Sequence, residues 1–368
     1  MKKHLALLLA LTLTLSALLT GCGYEYKELD LRGTYDKSLE GTSLTVYNWG
    51  EYISDGADGS IDVNKEFEKL TGIKVKYLTF ESNETMYSQI KSGGISYDII
   101  IPSDYMIERL KNEDMLEKID TSKLSNYDLI EDKYKNLFFD ENNEYSVPYN
   151  VGLVGIIYNE KLTGSDIEHS WKVLWDEKYK DMALNFNNPR DAFMTAQMIL
   201  GQDLNTLNKA DWDAAADLLK QGKANLQSYV MDEIYAKMET GEASVAPYYA
   251  GDYLTMLESN EDLRFFYPEE GTNIFVDSIC IPKNAKNYEA ALMYINFLLE
   301  PDISTANAEY IGYASPNTAV INNEDYCYYQ NEILYPDEAD TPKVQYYHDI
   351  DSEIRTYYET LWSEVKLY

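Results

Sequence analysis

Two kinds of apolar spacing alternate along the chain. SLTVYNW (43–49), IKVKYLTF (73–80) and YDIIIPS (97–103) are short runs rich in β-branched and aromatic residues, and they predict strands. Between them, VNKEFEKLTG (63–72) and NETMYSQIKSGG (83–94) place apolar residues every three to four positions and end on glycine, which predicts helices. YMIERLKNEDML (105–116) predicts another helix. Strand–helix–strand alternation of this kind is the signature of α/β architecture. YSVPYNVGLVGIIYN (145–159) then breaks the alternation with one long strand-like stretch, suited to leaving one domain and entering another. A second series follows: MALNF, RDAFMTAQMILG, DWDAAADLLKQG, ASVAPYY and LRFFYP. NIFVDSICIP (273–282) reads as a second crossing, and NYEAALMYINFLLEP (287–301) as an amphipathic helix. The pattern predicts two α/β domains joined by crossing strands, with a cleft between them.

The start of the chain changes where this fold is expected to work. A basic MKK precedes the apolar LALLLALTLTLSALL, and LTGC closes the run at Cys22, which is the build of a secretory signal. Leu19-Thr20-Gly21-Cys22 resembles a bacterial lipobox, so residues 1–21 are expected to be removed and Cys22 acylated, tethering the protein to the outer face of the membrane. Residues 22–41, charged and punctuated by glycine, are expected to be a flexible linker. The roughly 345 residues beyond the signal suit two domains at about 150 each.

Net charge is −32, and becomes −34 once Lys2 and Lys3 leave with the signal. Such a surface repels nucleic acid and anionic lipid, so any membrane attachment has to come from the acyl chain. Histidines occur at positions 4, 169 and 348, too scattered for a metal cluster or a His-based triad, and no Gly-x-Ser-x-Gly elbow is present. No enzyme, metal or cofactor is therefore expected. Cys280 and Cys327 remain after the anchor, and a buried thiol rather than a disulfide is expected at Cys280.

In open α/β sheets, ligands sit beyond the carboxyl ends of strands. That rule selects Trp49, Gly50, Glu51 and Tyr52; Ser103, Asp104 and Tyr105; Asn187, Asn188, Arg190 and Asp191; and Tyr248, Tyr249 and Asp252. Carboxylates and aromatic rings recur together there. A partly buried carboxylate needs a cation, and an aromatic face beside it attracts ammonium and covers methylene groups. This mixture suits an alkyl ammonium; sugars, which also stack on rings, are the main competitor. Each residue has a plainer reading as well, Asp252 as a helix cap, Asp191 as a first-turn acid and any one of the 34 tyrosines as packing.

YNWGEY, TGIKVKYLTFESNETMYSQIKSG, YDIIIPSDYMIERL, YSVPYNVG, DSICIPKNAKNYEAALMYINFLL and IGYASPNTAV together resemble the spermidine/putrescine-binding, extracellular proteins of ABC importers, from about residue 44 to the C-terminus. The resemblance implies a two-lobed periplasmic-binding-protein fold of type II-like build, here with 42–149 plus 277–316 as one lobe and 150–276 plus 317–368 as the other. It implies an extracytoplasmic monomer that captures putrescine or spermidine and delivers it to a membrane permease. By position it implies aromatic walls at Trp49, Tyr52, Tyr249, Phe275 and Tyr313, and acids at Glu51, Asp191 and Asp277. Ser103 and Tyr105 would line the first lobe. Two positions depart in opposite directions: Asn188 stands where spermidine-preferring members carry an acid, and Asp252 matches an acid of putrescine-preferring members. Binding of another small cation or a sugar, and a structural surface protein, are the alternatives.

Overall fold

A computed structural model describes residues 29–337 and 341–368. Among these residues eleven strands form one curled, mixed sheet: β1 Ser43–Trp49, β2 Lys74–Phe80, β3 Ile99–Ile100, β4 Leu116–Glu117, β5 Ser146–Asn159, β6 Ala183–Phe186, β7 Leu226–Val230, β8 Val245–Tyr249, β9 Leu263–Phe266, β10 Thr272–Pro282 and β11 Val344–Gln345. The order is β2-β1-β3-β10-β5-β8-β6-β7, with β4 and β11 on β10 and β9 on β5. β1 runs parallel to β2 and β3, and β6 parallel to β7 and β8. The long antiparallel pair β5 and β10 joins these two parallel groups.

The predicted crossings are therefore β5 and β10. β5 is buried along its whole length, which explains why its sequence is continuously apolar instead of alternating. The predicted strand at 97–103 shrinks to β3. The Asp98 carboxylate takes the backbone N–H groups of Thr45, Lys286 and Asn287, each at 2.9 Å, and Pro102 has no N–H to extend the ladder.

The helices begin and end where local chemistry directs. Asp62 accepts from the Lys65 amide at 2.9 Å to start Val63–Thr71, and Gly72 closes that helix at φ 71°. The C-terminal helix Ser352–Leu367 packs Tyr358 on Trp212, ring centroids 4.8 Å apart, and so covers the β6–β7 side. Residues 317–318 do not join it. Asn317 donates to Leu299 and Thr318 to Leu129, which seats this stretch beside the β1–β3 group.

The linker expected at 22–41 needs correction over 29–41. Leu29, Leu31, Tyr35 and Leu39 pack against the core, and several hydrogen bonds hold the segment to the helix Pro301–Ile311 and its approach. A carboxylate buried on the body of the protein supplies the partners that composition could not show. Cys22 lies outside the described residues. Cys280 is buried and Cys327 exposed, with no bond between them.

Candidate functional site

After β1, Glu51 adopts φ 51°, a left-handed conformation that an L-residue adopts uncommonly. The turn sends Tyr52 inward, where the Asn48 amide and the Tyr149 hydroxyl hold its carbonyl. The Tyr52 hydroxyl donates to Asp277 Oδ2 at 2.6 Å. Asp277, on β10 opposite Asn150 of β5, is 4% exposed. Among the described residues its Oδ1 accepts no hydrogen bond, and neither Asn150 Nδ2 nor Trp49 Nε1 finds a partner. Burial pushes the Asp277 carboxyl up to about 6, against the opposing influence of Tyr52 and Ser103.

Glu51 does not share this interior. It is exposed, and its carboxylate accepts from the Tyr310 hydroxyl at 3.3 Å on the outer side of the turn. Trp49 lies half-buried against Phe80, ring centroids 4.6 Å apart. Ser103 accepts from Asn83 Nδ2 at 3.1 Å, and Tyr105 donates to Glu84 at 3.0 Å. Between them sits Asp104, fully buried, taking the amides of Tyr105 at 2.7 Å and Val276 at 3.3 Å. Burial holds its carboxyl well above the usual range, and Asp277 adds to the effect.

The β6–β8 side supplies two more acids. Asn188 caps the helix Pro189–Ile199 through the Arg190 amide and donates its own amide to Asp191 Oδ2 at 3.0 Å. Asp191 also accepts from Tyr249 at 2.8 Å and from Tyr347 at 2.9 Å. Asp252, in the first turn of Ala250–Ser259, accepts from Tyr235 at 2.6 Å and from Tyr313. It makes no side-chain cap of that helix, whose N-cap is Tyr249. Burial raises both carboxyls, while their tyrosine partners oppose the shift. Arg190 is the cation acting on Asp104 and Asp191, and it stacks over Tyr347 at 4.5 Å.

Rings connect the acids. Tyr52 lies 5.8 Å from Tyr313, Tyr313 lies 6.1 Å from Phe275, and Phe275 lies 5.6 Å from Tyr249. Three buried carboxylates, the half-buried Asp252 and an aromatic wall thus share one region with the Arg190 guanidinium, an arrangement that stabilises bound cations. A cavity of about 350 Å³, lined among others by Val151, Leu153, Ile274 and Tyr335, carries none of these four acids.

The profile of the family described as bacterial extracellular solute-binding protein matches residues 95–331. The spermidine/putrescine-binding periplasmic protein of Salmonella typhimurium is 35% identical over 325 residues, covering 88% of this chain and 91% of its own. The chain belongs to the bacterial extracellular solute-binding proteins. Such proteins capture and deliver solutes and are not enzymes. Among solved structures, a putative spermidine/putrescine ABC transporter from Listeria monocytogenes superposes with TM-score 0.82 at 38% identity, covering 89% of this chain and 99% of that one. The Tp0655 (TpPotD) lipoprotein of Treponema pallidum gives 0.78 at 28%, covering 89% and 100%. These matches establish the two-lobed binding-protein fold.

In this solute-binding protein, Tyr235 and Tyr347 belong to the acid cluster although the sequence did not single them out; Asp104, which the strand-end rule selects, belongs to it as well. Asp104 lies between Ser103 and Tyr105 in PSDY and looks there like an ordinary helix-start acid. Tyr347 comes from KVQYYHD, whose pattern carries no element signal. Gly152, by contrast, is explained by the site: it pairs with Phe275, and a Cβ there would lie 2.0 Å from the Phe275 ring. Gly152→Ala is expected to lower stability by about 1–3 kcal/mol, the range for overpacking. It should also displace Phe275. Chemical denaturation and ligand titration of the variant check both effects.

Proposed function

We propose that this protein is the extracytoplasmic substrate-binding subunit of an ABC importer for polyamines, putrescine or spermidine. The buried Asp277 carboxylate carries the reading: one oxygen accepts from Tyr52, and the other makes no hydrogen bond among the described residues, with the Ser103 hydroxyl close by. An ammonium group supplies three donors and a positive charge to such an oxygen. Asp191 and Asp252 are placed to receive the other cationic end or ends, with Tyr52, Tyr313, Phe275 and Tyr249 covering the methylenes between. The names of relatives that bind spermidine and putrescine support this ligand class. Acids from both sides of the β5–β10 crossing take part, so a polyamine bridging them favours the closed state by differential affinity. The permease recognises that closed state. Acylation at Cys22 keeps the monomer beside it.

A thermal-shift panel of putrescine, cadaverine, spermidine and a set of neutral sugars tests the assignment. Polyamines are expected to raise the melting temperature in a saturable way and sugars to leave it unchanged. A shift with sugars alone contradicts the polyamine reading.

Binding should also be proton-linked. With the Asp277 carboxyl raised from 3.8 to about 6, the folded protein keeps a proton that the unfolded chain has lost between those values. Its contribution favours folding below that window and is lost as pH rises through it, by about 3 kcal/mol. An ammonium ion beside the ionised carboxylate offsets that loss. Affinity is therefore expected to fall about tenfold per pH unit below 6 and to level off above 7. Calorimetry at pH 5.5 in buffers of different ionisation enthalpy should show proton release on binding.

A further inference from the structure

Glu300 is completely buried, yet among the described residues no lysine or arginine side chain is paired with its carboxylate. It stands at the N-cap of the helix Pro301–Ile311 without making a side-chain cap. Instead its two oxygens take donors from far away in the sequence. Oε2 accepts from the Arg32 amide at 2.7 Å. Oε1 accepts from the Gly33 amide at 2.7 Å, from the Tyr35 hydroxyl at 2.5 Å and from Asn126 Nδ2 at 2.7 Å. A carboxylate satisfied by several N–H and O–H donors makes strong, charge-assisted bonds, and losing them would strand a buried charge.

The neighbouring contacts extend the grip. The Asp30 amide donates to Asp302 at 3.0 Å, Arg32 pairs with Asp128 at 3.1 Å, and the Tyr35 ring meets Phe297 edge-on at 5.4 Å. Asn296 donates to the Tyr35 hydroxyl at 3.1 Å. Gly33 is required by the closeness of this fit: a Cβ there would lie 2.8 Å from Glu300 Oε1 and 2.7 Å from the Tyr35 hydroxyl.

We infer that residues 29–41 are a clamped strap that fixes which face of the protein lies against the bilayer, namely the face marked by Asp128 and Asp302 above the buried Glu300. The inference rests on acylation at Cys22. From Cys22 to a free start of β1, the chain could reach about 70 Å, whereas from Cys22 to a strap docked at Leu29 it reaches only about 25 Å. The body therefore cannot tumble freely above the membrane. The acidic surface gives no attraction to anionic lipid that could orient it, so the clamp does so. The side bearing β1–β3 becomes the stationary part, and the side bearing β6–β8 moves relative to the membrane when the cleft opens.

The test uses the full-length lipidated protein and two variants, Glu300→Gln and Gly33→Ala, on a supported bilayer of phosphatidylcholine and phosphatidylglycerol. Hydrogen exchange should show the Arg32 and Gly33 amides protected in the wild type and at least about tenfold faster in both variants, with β1 amides unchanged. Neutron reflectivity should show a protein layer abutting the headgroups in the wild type, and a hydrated gap in the variants. Gly33→Ala leaves Glu300 in place, so it keeps the test decisive if Glu300→Gln folds poorly. Wild-type strap amides exchanging at unstructured rates, or one layer height for all three proteins, would overturn the inference. A protein that lacks an acyl chain by mass and washes off the bilayer overturns the anchor reading and the orientation with it. Exchange then still decides whether the clamp exists.

Discussion

Asp277→Asn is expected to weaken putrescine binding by roughly 30- to 4000-fold, corresponding to about 2–5 kcal/mol for removing one partner of a buried charge pair. The same change should make the ligand-free protein more stable. In the wild type the Asp277 carboxylate is buried, its Oδ1 makes no hydrogen bond among the described residues, and burial pushes its pKa up to about 6 against Tyr52 and Ser103, so the charge is a cost without a cation beside it. Asn keeps the oxygen that accepts from Tyr52 and removes the charge. The opposite movement of affinity and melting temperature separates a ligand-binding acid from a structural one. Calorimetry and thermal denaturation of one variant measure both, and a fall in both would assign Asp277 to the fold.

Taking the contact between Gly251 and Gly312 as one made on closure, Gly251→Ala should weaken binding by about 5- to 150-fold with little change in the stability of the ligand-free protein, its cost of about 1–3 kcal/mol falling on the closed state. Gly251 opens the helix Ala250–Ser259, and Gly312, at φ 78°, closes the helix Pro301–Ile311. A Cβ at Gly251 would sit 2.8 Å from the Gly312 carbonyl oxygen and 2.9 Å from the Tyr313 ring. The two backbones meet where Tyr313 reaches across to Asp252. A methyl group there holds them apart and withdraws Tyr313 from the acid. Small-angle scattering should find the liganded variant more extended than the liganded wild type, and equal compactness with equal affinity would show that this contact does not govern closure.

Much of this architecture was legible in the chain, for identifiable reasons. The strand at 43–49 and the helix closed by Gly72 carry local signals, a β-branched run in one case and a cap with a left-handed glycine in the other. The crossing strands showed as apolar runs interrupted by Pro148, Gly152 and Asp277. Asp277 was singled out by the resemblance alone, which sets an acid at the second crossing.

What stayed hidden depends on contacts distant in sequence. Tyr347 reaches Asp191 across 156 positions, and Glu300 reaches Arg32 across 268. Neither partner has a local pattern to announce it, so the 29–41 segment read as a linker. Glu51 shows the converse: its place beside Trp49 and Tyr52 suggested one wall, but the left-handed turn at Glu51 puts its carboxylate outside and Tyr52 inside.

Selectivity within the polyamines follows from the same geometry. Asn188 donates to Asp191 where an acid would add charge, and Asp252 gathers two tyrosine hydroxyls. One acid fewer at one end and one more at the other keeps the number of carboxylates and changes their spacing, and a putrescine-to-spermidine affinity ratio reads the consequence directly.

The most direct measurement of the central claim is the titration of the Asp277 carboxyl carbon by NMR, in protein labelled with ¹³C at aspartate and assigned through Asp277→Asn. Without ligand the signal should titrate near 6. With saturating putrescine, an ammonium at Oδ1 should bring the midpoint below the ordinary carboxylate value of about 3.9. A midpoint that stays near 6 in the saturated complex would contradict the assignment of Asp277 as the acid that holds the ligand's charge.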